Sequence, residues 1–108
     1  MNNVIHTNLA QGRWQTMSLA EQLGNVGSEV SRANRQKDEE LFWQAVARGL
    51  ELLDLTIADK RWLKRARELT RAKEILCDAV LGGKEYGSNL GDIQKYFDQF
   101  ALLARAQL

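Results

Sequence analysis

The sequence lacks most of the residues that cross-links and metal sites need. It has one cysteine, one histidine and no proline in 108 residues. Cys77 alone cannot form an intrachain disulfide, and His6 alone cannot complete a zinc cluster or the Glu-x-x-His motif of a bundle metal site. No apolar run approaches the roughly 18 residues of a membrane-spanning helix. We therefore predict no disulfide, no metal, no cofactor and no membrane insertion.

Neither sign of charge dominates the chain. It carries 15 Lys and Arg against 14 Asp and Glu, a formal net charge of +1. Any basic binding site must therefore be a local patch rather than a property of the whole molecule. The first residues, MNNVIHTNLAQGR, have neither the basic start nor the apolar core of a signal peptide. A reducing, cytoplasmic location is expected.

Apolar residues recur at spacings of three and four, which is typical of amphipathic helices. Gly82 and Gly83 are expected to end the third helix. The sequence predicts an all-α, four-helix antiparallel bundle over residues 14–108, preceded by a flexible arm at 1–13. The predicted N-caps are Ser18 (in a capping box with Glu21), Asp38, Asp59, and Ser88 or Asn89.

The second helix has the broadest apolar stripe, so we expect it to be the most buried, with Leu50 and Leu53 fully enclosed. Trp62 falls on the core line of a third helix that starts after Asp59. Trp14 is expected to fold back onto the end of the bundle. For Trp43 two interpretations stay open, packing inside the bundle, which we favour, and anchoring a partner.

Four small residues, at spacings of four, three and four, form a second stripe on the first helix: Ala20, Gly24, Gly27 and Ser31. Each glycine costs roughly 1 kcal/mol relative to alanine in a helix interior. Close approach of another helix would offset that cost through dispersion contacts. The stripe predicts either a tight helix crossing inside one subunit or a self-association surface between subunits.

The segment DKRWLKRARELTRAKE, residues 59–74, is the most basic part of the chain. Four of its cations, at spacings of four, three and four, are predicted to line one side of helix 3: Lys60, Lys64, Arg67 and Arg71. Such a row is what contact with a nucleic-acid backbone needs. The alternative, which we favour, is a solvated face partly neutralised by Arg65–Glu68 and Arg71–Glu74 pairs.

The residues that could support catalysis are better explained by structural roles. Glu51 and Asp54 share a helical face, but neighbouring polar residues indicate a solvated strip. Cys77 has no base nearby in the sequence, so packing is favoured over nucleophilic use. The loop GGKEYGSNLG, residues 82–91, matches no nucleotide-binding fingerprint and is expected to be a turn. We do not expect an enzyme.

The segments EQLGNVGSEVSRA, LELLDLTIAD, EYGSN and KYFDQFA together resemble a group of small uncharacterised bacterial all-helical proteins. The resemblance spans about residues 14–105. It implies a bacterial origin and a helical fold, and it brings no activity, cofactor or site residue.

The sequence therefore favours a non-catalytic helical module for protein–protein interaction that forms a homo-oligomer. The alternative is a small nucleic-acid-binding accessory protein that uses the basic side of helix 3. A third, more distant hypothesis is binding of a small ligand inside the bundle.

Overall fold

The computed structural model describes residues 12–107 and is all-helical over that range, without a strand. A short 3-10 helix, Trp14–Thr16, precedes α1 (Leu19–Arg35) and α2 (Glu39–Ile57). A 3-10 segment, Lys60–Arg65, called the connector below, leads into α3 (Ala66–Val80), and α4 is Leu90–Ala106. The predicted all-α four-helix bundle is confirmed. Most of the predicted arm, residues 1–11, lies outside the described residues.

The predicted caps lie where the sequence places them. The Ser18 hydroxyl accepts from the Glu21 amide while the Glu21 carboxylate accepts from the Ser18 amide, so the capping box is complete. Asp38 accepts from the Leu41 amide at the start of α2. Of the two candidates for α4, Asn89 is the cap. These bonds satisfy amide groups that a helix start would otherwise leave unpaired.

Helix α1 runs antiparallel to both α2 and α4. Gly49 of α2 lies against Glu29 and Val26 of α1, whereas Ala33 packs with Ala45 and Val46 nearer the other end of both helices. On the opposite side of α1, Gly24 meets Ala101 of α4 and Gly27 meets Phe97. Because the residue numbers rise along one helix as they fall along the other, both pairs are antiparallel. No described helix is long and apolar enough to cross a bilayer.

The expectation that α2 is the most buried helix is wrong, because α1 is enclosed more fully. Nine of the 17 residues of α1 are buried, against six of the 19 in α2. The cause is the position of α1 between α2 and α4, which the small residues on its second face permit. Leu53 is fully buried as expected, but Leu50 is only partly buried, since it lies at the edge between two core clusters.

Helix 3 starts later than the sequence suggests. Asp59 does cap a helical turn, accepting from the Arg61 amide, but that turn is the 3-10 connector and Trp62 leaves helical geometry within it (φ −108°, ψ 22°). The Trp62 indole donates to Gln22 of α1, which holds the segment against the bundle. The α-helix therefore begins only at Ala66, and the 3.6-residue period assumed for residues 60–71 is interrupted.

The carboxyl end of α3 closes as predicted at Gly82 and Gly83. The Gly82 amide donates to Ala79 O and the Gly83 amide to Asp78 O, which is the hydrogen-bond pattern of a Schellman motif. Both glycines have positive φ, 110° and 75°, a conformation that other residues rarely adopt.

Candidate interaction surfaces

The small-residue stripe faces α4 of the same chain at its two glycines. A Cβ built on Gly27 would lie 2.8 Å from the Phe97 Cβ, and one on Gly24 would lie 3.1 Å from the Ala101 Cα. Ala20 is buried beside a groove described below, and the half-buried Ser31 accepts a hydrogen bond from Arg35. The close crossing within one chain is thus present at Gly24 and Gly27, and the stripe no longer supplies the argument for self-association.

The four predicted nucleic-acid-binding cations are exposed but belong to two elements. Lys60 and Lys64 lie on the connector, and Arg67 and Arg71 lie on α3. None of them forms an ion pair with a described carboxylate. The expected pair between Arg71 and Glu74 is absent from the described structure. The Arg71 guanidinium lies 5.5 Å from the centre of the Tyr86 ring instead.

Other cations of the same segment are neutralised. Arg65 donates to Glu68 at 2.9 Å, which confirms that predicted pair, and Arg61 pairs with Asp59 at 2.7 Å. The Arg61 guanidinium also lies 4.5 Å from the Trp62 ring centre. Pairing therefore leaves Lys60, Lys64, Arg67 and Arg71 as the accessible positive charge of this surface.

A buried polar cluster, not anticipated from the sequence, ties the connector to α1. The Gln22 amide donates to Trp14 O and to Asp59 Oδ2 and accepts from the Trp62 indole. Hydrogen bonds from the Arg61 side chain, above all, hold the pKa of Asp59 down at about 2 against the opposing effect of burial. Gln22, Asp59 and the Trp62 indole are all hydrogen-bonded within the cluster, which points to a structural role, whereas the buried indole nitrogen of Trp14 has no partner among the described residues.

Asp78 is a second buried acid that the sequence analysis did not single out. Burial would raise the pKa of Asp78, but donation from the Glu85 amide, the Ser88 hydroxyl and the Tyr86 amide lowers it. These contacts fold the loop after α3 back onto the helix end. The loop is therefore an anchored turn, in agreement with its expected role.

The residues weighed for catalysis do not converge in the described chain. Asp54 accepts from Lys73 at 2.7 Å on the surface, and Cys77 is a partly buried free thiol. Residues 12–107 contain no group of three or more His, Cys, Asp or Glu side chains placed to hold a metal ion. His6 lies outside the described residues.

A surface pocket of about 430 Å³ lies between α3, α4 and the loop, with Ile75 and Ile93 in its wall. Tyr96 also lines it and donates to Glu68 at 2.9 Å. Burial, reinforced by this bond, raises the pKa of Tyr96. The pocket opens to the surface rather than lying in the bundle interior, where a ligand had been considered.

A second concavity, called the terminal groove below, lies where α1 starts, the connector passes and α4 ends. It encloses about 450 Å³, within the range of sites that bind apolar groups. Its lining is largely apolar, and Leu103 at its edge is 47% exposed. The lining residues are Ser18, Leu19, Ala20, Trp62, Arg65, Phe100, Leu103 and Gln107.

The amino-terminal end of α2, at the far end of the bundle from the terminal groove, carries an exposed aromatic residue. Trp43 is 42% exposed and Leu41 46% exposed, so the expectation that Trp43 packs inside the bundle is wrong. The Trp43 ring stands edge-on to Phe42 with centroids 4.9 Å apart, because Phe42 takes the inward position of this turn. Glu39 and Glu40, one turn earlier, are exposed beside it. Glu39, Glu40, Leu41 and Trp43 are called the Trp43 surface below.

Comparison with protein-family models, curated proteins and solved structures finds no match. The resemblance to bacterial helical proteins therefore stays a prediction, and function must be argued from the surfaces themselves.

Proposed function

We propose that this chain is a non-catalytic helical interaction module that associates with other copies of itself. The observation that carries the proposal is the exposure of large apolar side chains at both ends of the bundle. Trp43 and Leu41 are exposed at one end, and Leu103 is exposed at the other.

Single exposed apolar residues are ordinary on protein surfaces. These differ because they adjoin features that suit an interface. Tryptophan is enriched among the residues that dominate binding energy. Leu103 borders a groove with a largely apolar lining, so its exposure is continuous with further apolar surface.

Thermal unfolding at several protein concentrations tests the proposal. If folded copies associate, mass action raises the melting temperature as concentration rises. Trp43→Ser should abolish most of that rise, whereas Gln44→Ser, a neighbouring exposed site, should retain it. A wild-type melting temperature that does not change with concentration contradicts self-association.

A second candidate function, binding of nucleic acid, is favoured by four exposed cations that make no ion pair with a described carboxylate, Lys60, Lys64, Arg67 and Arg71. Neutralising phosphates releases counterions, so binding by this surface would weaken steeply with salt. Retention on heparin or RNA at about 50 mM salt, lost in Lys64→Glu with Arg71→Glu, would support it. Absence of wild-type retention under that condition would eliminate it.

A further inference from the structure

We propose that the Trp43 surface of one copy docks in the terminal groove of the next copy, so that the chain associates head to tail. This inference rests on the proposed self-association and specifies the two surfaces that meet.

The groove has the shape and lining that a protruding ring requires. The side chains of Trp62, Phe100 and Leu103 supply apolar contact, and Ala20 contributes only a methyl group on the α1 side. A large residue at position 20 would occupy space in the groove. Gly24 and Gly27 thus allow α4 to pack closely against α1, and Ala20 leaves space in the groove.

The Trp43 surface has the complementary form. The indole is exposed on a helix rather than on a loop, so little ordering is needed when it is buried. Glu39 and Glu40 lie four and three residues before Trp43 and therefore on the same side of α2. An entering indole would bring two carboxylates to the rim of the groove.

The charges around the two surfaces are opposite in sign. Residues 37–40 carry one lysine and three carboxylates, a local charge of −2. On the groove side, the connector supplies Trp62 and Arg65 to the lining, and residues 59–68 carry five lysines and arginines against two carboxylates, a local charge of +3. Complementary charge of this kind sets the orientation of partners and speeds their encounter. It favours a second copy as the occupant, because that copy presents both the ring and the acids.

The fold separates the two surfaces within one molecule. Residues 40 and 57 of α2 are about 25 Å apart at a rise of about 1.5 Å per residue, and the connector follows residue 57. One copy therefore cannot fill its own groove. A contact between two different surfaces generates a closed ring or an open chain, not a two-fold dimer.

Mixing two damaged copies tests the arrangement. Trp43→Ala removes the ring but keeps the groove, and Leu103→Glu blocks the groove but keeps the ring. We expect each variant alone to associate about tenfold or more weakly than wild type. Mixed in equal amounts, they should form a complex that stops at two copies, with a light-scattering mass of about 25 kDa, twice the 12.3 kDa of one chain.

Matched controls and circular dichroism separate docking from misfolding. Gln44→Ala and Leu102→Glu alter exposed neighbours outside the two surfaces and should associate as wild type does, and all four variants should keep the wild-type helical signal. A wild type that associates while the mixture stays at 12.3 kDa overturns the head-to-tail contact and leaves self-association standing. A wild type that stays monomeric overturns both. If Leu102→Glu and Leu103→Glu weaken association equally, the docking site is not the terminal groove.

Discussion

Replacing Gly27 with alanine tests the crossing of α1 with α4. The new Cβ would lie 2.8 Å from the Phe97 Cβ, closer than real Cβ contacts come, and neither atom is the free end of a flexible side chain. Phe97 is fully buried, so relief requires α4 to move. Overpacking of this kind costs about 1–3 kcal/mol. The higher helix propensity of alanine relative to glycine offsets roughly 1 kcal/mol of that cost. We expect a net loss of about 1 kcal/mol, up to about 2.

Gly49→Ala is the matched control for that substitution. A Cβ at Gly49 would meet only the Glu29 Cβ, at 3.4 Å, and Val26 O, at 4.0 Å, which is ordinary van der Waals contact. This variant should equal wild type or gain up to about 1 kcal/mol. Urea unfolding followed by circular dichroism measures both.

The Gly27→Ala loss should be the same at every protein concentration, because the contact lies within one chain. A more stable Gly27→Ala variant, or a loss that varies with concentration, would refute the crossing described here.

Further predictions concern the core and the titrating groups. Leu53→Ala should cost about 2–5 kcal/mol in urea unfolding and Leu50→Ala clearly less, since only Leu53 is fully enclosed; equal losses would contradict this. Gln22→Leu should cost about 1–3 kcal/mol by leaving buried partners unpaired, and an unchanged midpoint would contradict the cluster. Because the pKa of Asp59 is lower in the folded than in the unfolded protein, its carboxylate stabilises the fold fully at a pH above the unfolded pKa of about 4. This stabilisation should be lost as the pH falls toward about 2, and Asp59→Asn should reduce the dependence on pH. The raised pKa of Tyr96 predicts stability that is lost as pH rises above the unfolded value of about 10, and Tyr96→Phe should flatten that loss in alkaline urea titrations.

Local rules were sufficient for most of the helix ends. The Ser18–Glu21 box, the Asp38 cap and the paired glycines after α3 each depend on residues within one turn. Such interactions are encoded by short spacings, so a single sequence reveals them. The same reasoning failed for the start of α3, because a contact 40 residues away, between Trp62 and Gln22, holds that turn in 3-10 geometry.

Burial was harder to predict because it depends on which helices become neighbours. The apolar stripe of α2 is wider than that of α1, yet α1 is enclosed more fully since it has a packed helix on each side. One signal was available in the sequence. Gln22 and Glu29 lie seven residues apart within the apolar stripe of α1, and polar residues at such positions indicate buried hydrogen bonds.

Only part of the candidate surfaces could be predicted from the sequence. The cations of residues 59–74 could be listed from the sequence, but the folded distances between Arg61 and Asp59 and between Arg65 and Glu68 were needed to tell which of them are neutralised. Asp78 did carry a local signal. A carboxylate in the last turn of a helix is disfavoured by the helix dipole, which suggests a compensating contact such as the one the loop makes.

The mass of the wild-type chain in solution tests the proposed function most directly. Light scattering across a wide range of protein concentrations should give a value that starts near 12.3 kDa and rises beyond two copies as concentration increases. A mass that stays at 12.3 kDa throughout would contradict self-association and leave the exposed ends of the bundle to a different partner.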